Sequence, residues 1–321
     1  MSKNSGTEKI LLGISGCLLG EPVRFDGGHK RNANIVQTLG QYFEFKSFCP
    51  EMDIGLGVPR DTLGLIEKKG EQRIVFNKDT KHDFTMAINE SVARQAQWQK
   101  DIYGYILKSR SPSCGIQNVE LIQQGTISLR GVGVYAAGLM QSFPNLPVES
   151  EDRLENIELR NNFIRRVFVY RRWKTLINKK HGLRNVQTFH RQHSSLLMAS
   201  DSERYKQLTY WLEKPLEIKS GTLVSDYETA LMSLLKTLAT RKNNTLVLRQ
   251  ITKKLAQQLN IQDKNKIEEE VHNYSRGLVS FNVVAEQVRR YQQKYAGTPL
   301  ERDWYINPDP EELALMSTTA P

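Results

Sequence analysis

Residues 9–30 read KILLGISGCLLGEPVRFDGGHK, and the fold of the chain's first half turns on this stretch. Ile10, Leu11, Leu12, Gly13 and Ile14 form a short apolar run that Ser15, Gly16 and Cys17 break, the pattern of a buried strand delivering a cysteine into a turn. Phe43 to Phe48 predicts a second strand, ending in Cys49-Pro50-Glu51. Tyr103 to Leu107 predicts a third, running into the loop SRSPSCG at 109–115, which contains Cys114. The chain has no other cysteine. Open α/β folds build their sites at the carboxyl ends of strands, so three thiols that each follow a strand are placed to meet at one sheet edge. An odd cysteine count without a secretory leader argues against a disulfide framework and for a reducing, cytoplasmic setting. Metal ligation, free reactive thiols and three unrelated buried thiols are the readings left open, and placement in Gly/Pro/Ser turns weighs against the last.

Four ordered motifs carry a resemblance. Ser15-Gly16-Cys17-Leu18-Leu19-Gly20, Arg24-Phe25-Asp26-Gly27 with Lys30, Cys49-Pro50-Glu51, and Ser111-Pro112-Ser113-Cys114-Gly115 resemble the thiouracil desulfidase (TudS) family over about the first 145 residues. That resemblance implies a 4Fe-4S cluster held by Cys17, Cys49 and Cys114, with one iron not bound by protein and open to the sulfur of a thiolated base. It also implies Glu51 as general base and Ser111 as a second catalytic group. Ser113 would orient the cluster, and Ser15, Arg24, Asp26 and Lys30 would contact substrate, although the last three serve equally well to pin the loop after Cys17. For the two serines flanking Cys114, the plain alternative is the geometry of a Ser-Pro turn. For Glu51 it is an ion pair with Arg24 or Lys30.

The chain's 321 residues suggest two domains. The first, 1–148, reads as α/β: a mostly parallel sheet flanked by helices, with residues 1–8 a loose polar tail. Its expected strands are the three above plus Arg73 to Phe76 and Gly133 to Tyr135, with helices over Asn32 to Tyr42 and Asp83 to Trp98. Gly131, Gly133 and Gly138 read as close backbone packing in preference to a phosphate loop, which lacks its Lys-Ser/Thr ending. The acidic patch Glu149 to Asp152 marks a change of composition, and 149–321 reads as a separate all-α domain. No apolar run approaches the ~18 residues that a membrane span requires.

Charge divides the halves. Residues 1–148 hold 17 Lys+Arg against 14 Asp+Glu, a net of +3, whereas 153–296 hold 27 against 13, a net of +14, so the helical half carries the basicity of a chain whose net charge is +10. Arg165, Arg166, Arg171, Arg172, Lys179, Lys180, Arg289 and Arg290, interleaved with Tyr170, Trp173 and Tyr291, fit an RNA-backbone surface. Solvated helix faces over core aromatics are the other reading. Phe189 to His193 and the closing Tyr305 to Leu313 resemble the partner domain of the fused family form that acts on 4-thiouridine in tRNA. His190 and His193 share a spacing seen in metal pairs, but no acid or thiol lies nearby in sequence, so a packed or phosphate-facing role is the expectation. His29 matters only if the cysteines bind zinc.

Three functions are thereby in view. The first is an iron-sulfur desulfidase that acts on 4-thiouridine in tRNA and releases hydrogen sulfide without electron exchange. The second is the same enzyme acting on thionucleosides or free thiobases such as 2-thiouracil. The third is a non-enzymatic, metal-stapled RNA-binding protein.

Overall fold

The computed structural model describes residues 9–179, 182–214, 221–295 and 303–317. The chain forms two compact units, the first reaching Arg171 and the second starting at Arg172. The strands in chain order are β1 (Ile10–Ser15), β2 (Phe43–Phe48), β3 (Leu63–Lys68), β4 (Glu71–Phe76), β5 (Tyr105–Leu107), β6 (Val119–Gln123), β7 (Thr126–Gly131) and β8 (Val148–Ser150). The helices of the first unit are α1 (Gly16–Leu19), α2 (Ala33–Gln37), α3 (Pro50–Asp53), α4 (Thr85–Gln99), α5 (Val134–Ser142) and the opening turns of α6 (Ile157–Lys179).

The apolar run that opens the chain becomes the inner strand of an all-parallel sheet of order β2-β1-β5-β8. Such a strand is buried on both faces, which is why it reads as a continuous apolar run and does not alternate. On one face, Gly104 lies against Leu12 of β1 and against Phe163 and Val167 of α6, and Phe43 meets Phe168 with ring centroids 6.2 Å apart. On the other face, Tyr135 of α5 stacks on Phe48 at 5.2 Å, and Trp98 of α4 lies 6.2 Å from Tyr105. Ser15 pairs with Phe48 and Ile14 with Ile106, so three strands end level with one another. A second sheet, β4-β3-β6-β7, mixes antiparallel hairpins with one parallel pair, and sequence reading foresaw only β4 of its strands.

The expected strand over Gly133 to Tyr135 is corrected: those residues cap and open helix α5. Val134, Tyr135, Ala136 and Leu139 are buried at helical spacing, and the small residues between them suit close packing. The expected helix over Asn32 to Tyr42 is present in two pieces, α2 and a 3-10 turn at Leu39–Gln41, with Asn32 capping the first through the Ile35 N–H. The tail at 1–8 lies outside the described residues.

In the second unit, the remainder of α6 leads to α7 (Leu183–Gln192), α8 (Ser194–Ser200), α9 (Ser202–Leu212), α10 (Leu223–Leu235), α11 (Arg241–Leu255), α12 (Ile261–Ser275), α13 (Phe281–Lys294) and α14 (Pro310–Ser317). No strand occurs here among the described residues. Its core gathers around buried Trp173, whose ring lies 4.9 Å from Tyr227 and 5.2 Å from Phe189 and whose Nε1 donates to Glu228. Among the described residues no helix is long and apolar enough to cross a membrane.

Leu12 is fully buried between strand and helix, so Leu12→Ala should cost about 2–5 kcal/mol in chemical denaturation. Ile127→Ala, at an exposed position of β7, should stay within about 0.5 kcal/mol of the parent. Equal effects of the two would contradict the assignment of β1 to the interior.

Candidate active site

The level strand ends determine where the thiols lie. Cys17 sits in the single turn of α1 directly after β1, Cys49 caps α3 directly after β2, and Cys114 lies in the loop after β5. All three line one cavity of about 390 Å³, together with Glu51, Ser111, Ser15, Arg24 and Lys30. That volume lies in the range of small-molecule sites.

Two devices hold the Cys114 loop. The first turn of α5 points its N–H groups at the loop's carbonyls: Gly133 N–H donates to Gly115 O at 2.7 Å, Val134 to Pro112 O at 3.0 Å and Ala136 to Ser113 O at 3.0 Å. A β-carbon at Gly133 would lie 2.5 Å from the Ser113 backbone, so only glycine permits this approach. At the loop's start, the buried Glu151 carboxylate accepts from the Ser109 N–H at 2.6 Å and from the Ser109 hydroxyl at 2.8 Å, and it pairs with Lys108. The Lys108 N–H in turn donates to Ser15 Oγ at 3.0 Å, tying this loop to the end of β1.

Ser111 Oγ accepts the N–H groups of Ser113 and Cys114 at 3.2 and 3.1 Å, which leaves its own proton to donate elsewhere. Glu51 is buried, with Oε2 3.2 Å from Cys49 Sγ. Burial pushes the Cys17 thiol up to about 11. Burial also raises Cys49 and Cys114, and the nearby Glu51 carboxylate adds to both shifts. Without a cation these thiols hold their protons; a metal group that displaces the protons is their chemical complement. Among the described residues no three His, Cys, Asp or Glu side chains converge as a single ion requires. The three thiols are instead distributed around one cavity. Ser113, fully buried beside Cys114, has a hydroxyl with no hydrogen-bond partner. Dispersed soft thiols with a spare hydroxyl donor beside them fit an iron-sulfur cluster, whose sulfurs accept hydrogen bonds.

Asp26 stands apart from the cavity. Its carboxylate accepts the Gly28 N–H at 3.0 Å and lies 3.7 Å from Arg24, contacts within the loop after Cys17. His29 is exposed and accepts the Arg31 N–H. Four further groups in the region escaped the sequence reading: Arg60, Lys108, Arg110 and Glu151. Arg60 donates to Gly57 O at 2.7 Å and Val23 O at 2.9 Å, joining loops far apart in sequence, and no short-range pattern signals that. Lys108 and Arg110 lie within three residues of Ser111, and only this proximity hinted at them.

Two of the expected RNA-contacting arginines are turned inward. Arg166 is buried against Glu149 at 3.1 Å, and Arg172 pairs with Asp309 and Glu312, both at 2.8 Å, while lying over the Trp304 ring. A buried ion pair of this kind fixes structure, so phosphate contact is withdrawn for both. Arg165 and Arg171 are half-buried, Lys179 is exposed, and Lys180 lies outside the described residues. Arg289 donates to Ile306 O at 2.9 Å, and exposed Arg290 pairs with Glu286. His190 and His193 are packed, as expected. His190 lies between Tyr227 and Thr209, at 3.2 and 2.9 Å, and burial lowers its pKa to about 4. His193 accepts from Arg172 at 3.2 Å and donates to Phe189 O at 2.8 Å.

Residues 12–151 match the family model described as 2-thiouracil desulfurase, and residues 195–310 match one described as a protein of unknown function, DUF1722. No curated protein matches the chain. Among solved structures the chain is similar to a 4Fe-4S-dependent thiouracil desulfidase, TudS, with 33% identity over 46% of this chain and 93% of that one, at a TM-score of 0.36.

The Glu151 clasp predicts that Glu151→Ala frees the start of the Cys114 loop. Amide exchange at Ser109 should accelerate about tenfold or more, the loss associated with a hydrogen bond to a charged group. Unchanged protection there would contradict the clasp.

Proposed function

The chain belongs to the 2-thiouracil desulfurase family, and from that premise we propose that it removes sulfur from 4-thiouridine in tRNA. The observation that carries the reading is one cavity lined by three thiols, a buried carboxylate and the cations Arg24, Lys30, Arg60, Lys108 and Arg110. A free thiobase is neutral and gives those cations nothing to neutralise, whereas a nucleotide in a strand brings a phosphate to the cavity mouth. The net charge of +10, concentrated in the helical half, supports a polyanionic substrate in the same way.

Cys17, Cys49 and Cys114 are the residues that would hold a 4Fe-4S cluster, leaving one of its irons without a protein ligand. When bound, the cluster supplies a Lewis acid that takes soft thiocarbonyl sulfur in preference to carbonyl oxygen. Glu51 acts as general base, removing the proton from a water that attacks the ring carbon bearing sulfur. Ser111, its oxygen already occupied by two N–H donors, gives its proton to the pyrimidine. One carbon-sulfur bond breaks as carbon-oxygen bonding replaces it. The products are uridine and hydrogen sulfide, and no electron is gained or lost.

The test is anaerobic reconstitution followed by parallel incubation with thiolated tRNA and free 2-thiouracil. We expect 4-thiouridine to disappear from tRNA with matching sulfide release, at a kcat/KM that falls steeply with salt because bound counterions are released. Glu51→Gln should keep its iron and lose on the order of a hundredfold or more in turnover. Faster turnover of free thiobase than of tRNA would transfer the assignment to the small molecule, and parental rates in iron-loaded Glu51→Gln would remove Glu51 from the chemistry.

A further inference from the structure

We propose that a second cavity, adjoining the first, seats the nucleotide next to the thiolated one in the same RNA strand, and that Arg110 holds the phosphate between them. This inference rests on the functional reading above, which it extends. The second cavity measures about 550 Å³ and shares Leu63, Ser109, Arg110 and Pro112 with the thiol-lined one. The ridge between them is therefore the start of the Cys114 loop itself.

Arg110 has three properties that suit it to the linking phosphate. Among the described residues it is the only cation lining the second cavity, and it lines the first as well. It is exposed, and among the described residues its guanidinium has no ion-pair or hydrogen-bond partner. Of the other cations of the first cavity, Lys108 is engaged by Glu151, Arg60 by two carbonyls and Arg24 by Asp26, and Lys30 does not reach the second cavity. Arg110 also holds a φ of 56°, a left-handed backbone that a β-carbon disfavours, and residues so held cluster where a ligand is gripped. An unpaired planar guanidinium at the join of two cavities is suited to bidentate contact with phosphate.

The remainder of the second cavity suits a base. Exposed Leu129 and Ile122, with Leu63, offer apolar area for a ring face. Gln117 and Asn118 are exposed amides able to meet base edges, the means by which single-stranded RNA is read. The lining also contains the carboxylates of Glu120 and Asp152, which repel phosphate and accept hydrogen bonds from base amino groups. Asp152 is already engaged by Ser150 Oγ at 2.6 Å and the Arg153 N–H at 3.0 Å. Charge thus places the phosphate at the ridge and the base beyond it.

The reconstituted full-length protein tests this with three small substrates: 4-thiouridine, and two dinucleoside monophosphates carrying 4-thiouridine on the 5′ or the 3′ side of the phosphate. One dinucleotide should exceed the nucleoside in kcat/KM by about tenfold, the scale of one charged hydrogen-bonding contact. That ratio should collapse towards one in Arg110→Gly, where glycine suits the left-handed backbone and keeps the loop, and in Leu129→Glu. Arg110→Lys should recover part of it. Binding of a dye-labelled, sulfur-free uridine tetranucleotide should weaken by a similar factor in Arg110→Gly, whether or not any substrate is turned over. Dinucleotides no better than the nucleoside, or tetranucleotide binding unchanged by Arg110→Gly, would overturn the seat. The desulfidase reading has a separate failure, an enzyme that releases sulfide from none of these substrates while still binding the tetranucleotide through Arg110.

Discussion

Parallel pairing of β1 between β2 and β5 is the constraint on which the site depends. In a parallel sheet all carboxyl ends face one edge, and the register of Ser15 with Phe48 and Ile14 with Ile106 makes three of those ends level. Each strand then breaks into a turn that carries one cysteine. The apolar faces of α4, α5 and α6 bury both sides of the sheet and keep that register from slipping. α5 has a second role, since its first-turn N–H groups, which a helix cannot satisfy internally, find their acceptors in the Cys114 loop. Folding energy and site geometry therefore meet in the same few residues.

Electrostatics adds a second level of organisation. Desolvation raises all three thiols, with a buried carboxylate beside them, so the cavity suits a cationic group that takes the place of the thiol protons. Around it the cations divide into those that shape loops and those left for a ligand. Arg60 and Lys108 belong to the first kind, Arg110 to the second. The helical half makes the same division, because Arg166 and Arg172 serve internal carboxylates while Lys179 and Arg290 reach solvent.

What the sequence made legible follows from the range of the interactions involved. The apolar run of β1, the strand at Phe43–Phe48 and the three cysteine turns are local patterns, and they appear in the structure where the residues place them. The all-helical character of the second half was equally local. The strand expected at Gly133 to Tyr135 became a helix because tertiary contacts of Tyr135 with Phe48 and Tyr105, and of Gly133 with the Cys114 loop, outweighed the β preference of Val and Tyr. Most of the second sheet was missed because its strands are short and their apolar residues do not mark a buried face, since Ile122, Ile127 and Leu129 are exposed. The clasp of Glu151 on Lys108 and Ser109 spans more than 40 residues, and the ion pairs of Arg172 span well over 100, so no window along the chain contains both partners.

The proposed chemistry requires the three strand-end cysteines to hold one iron-sulfur group together. Iron and acid-labile sulfide measured per chain after anaerobic reconstitution, for the parent and for Cys17→Ala, Cys49→Ala and Cys114→Ala, test it most directly. The prediction is equal amounts of iron and sulfide in the parent and loss of most of both in every variant. A variant that keeps the full complement, or a colourless parent that takes up stoichiometric zinc, would contradict it.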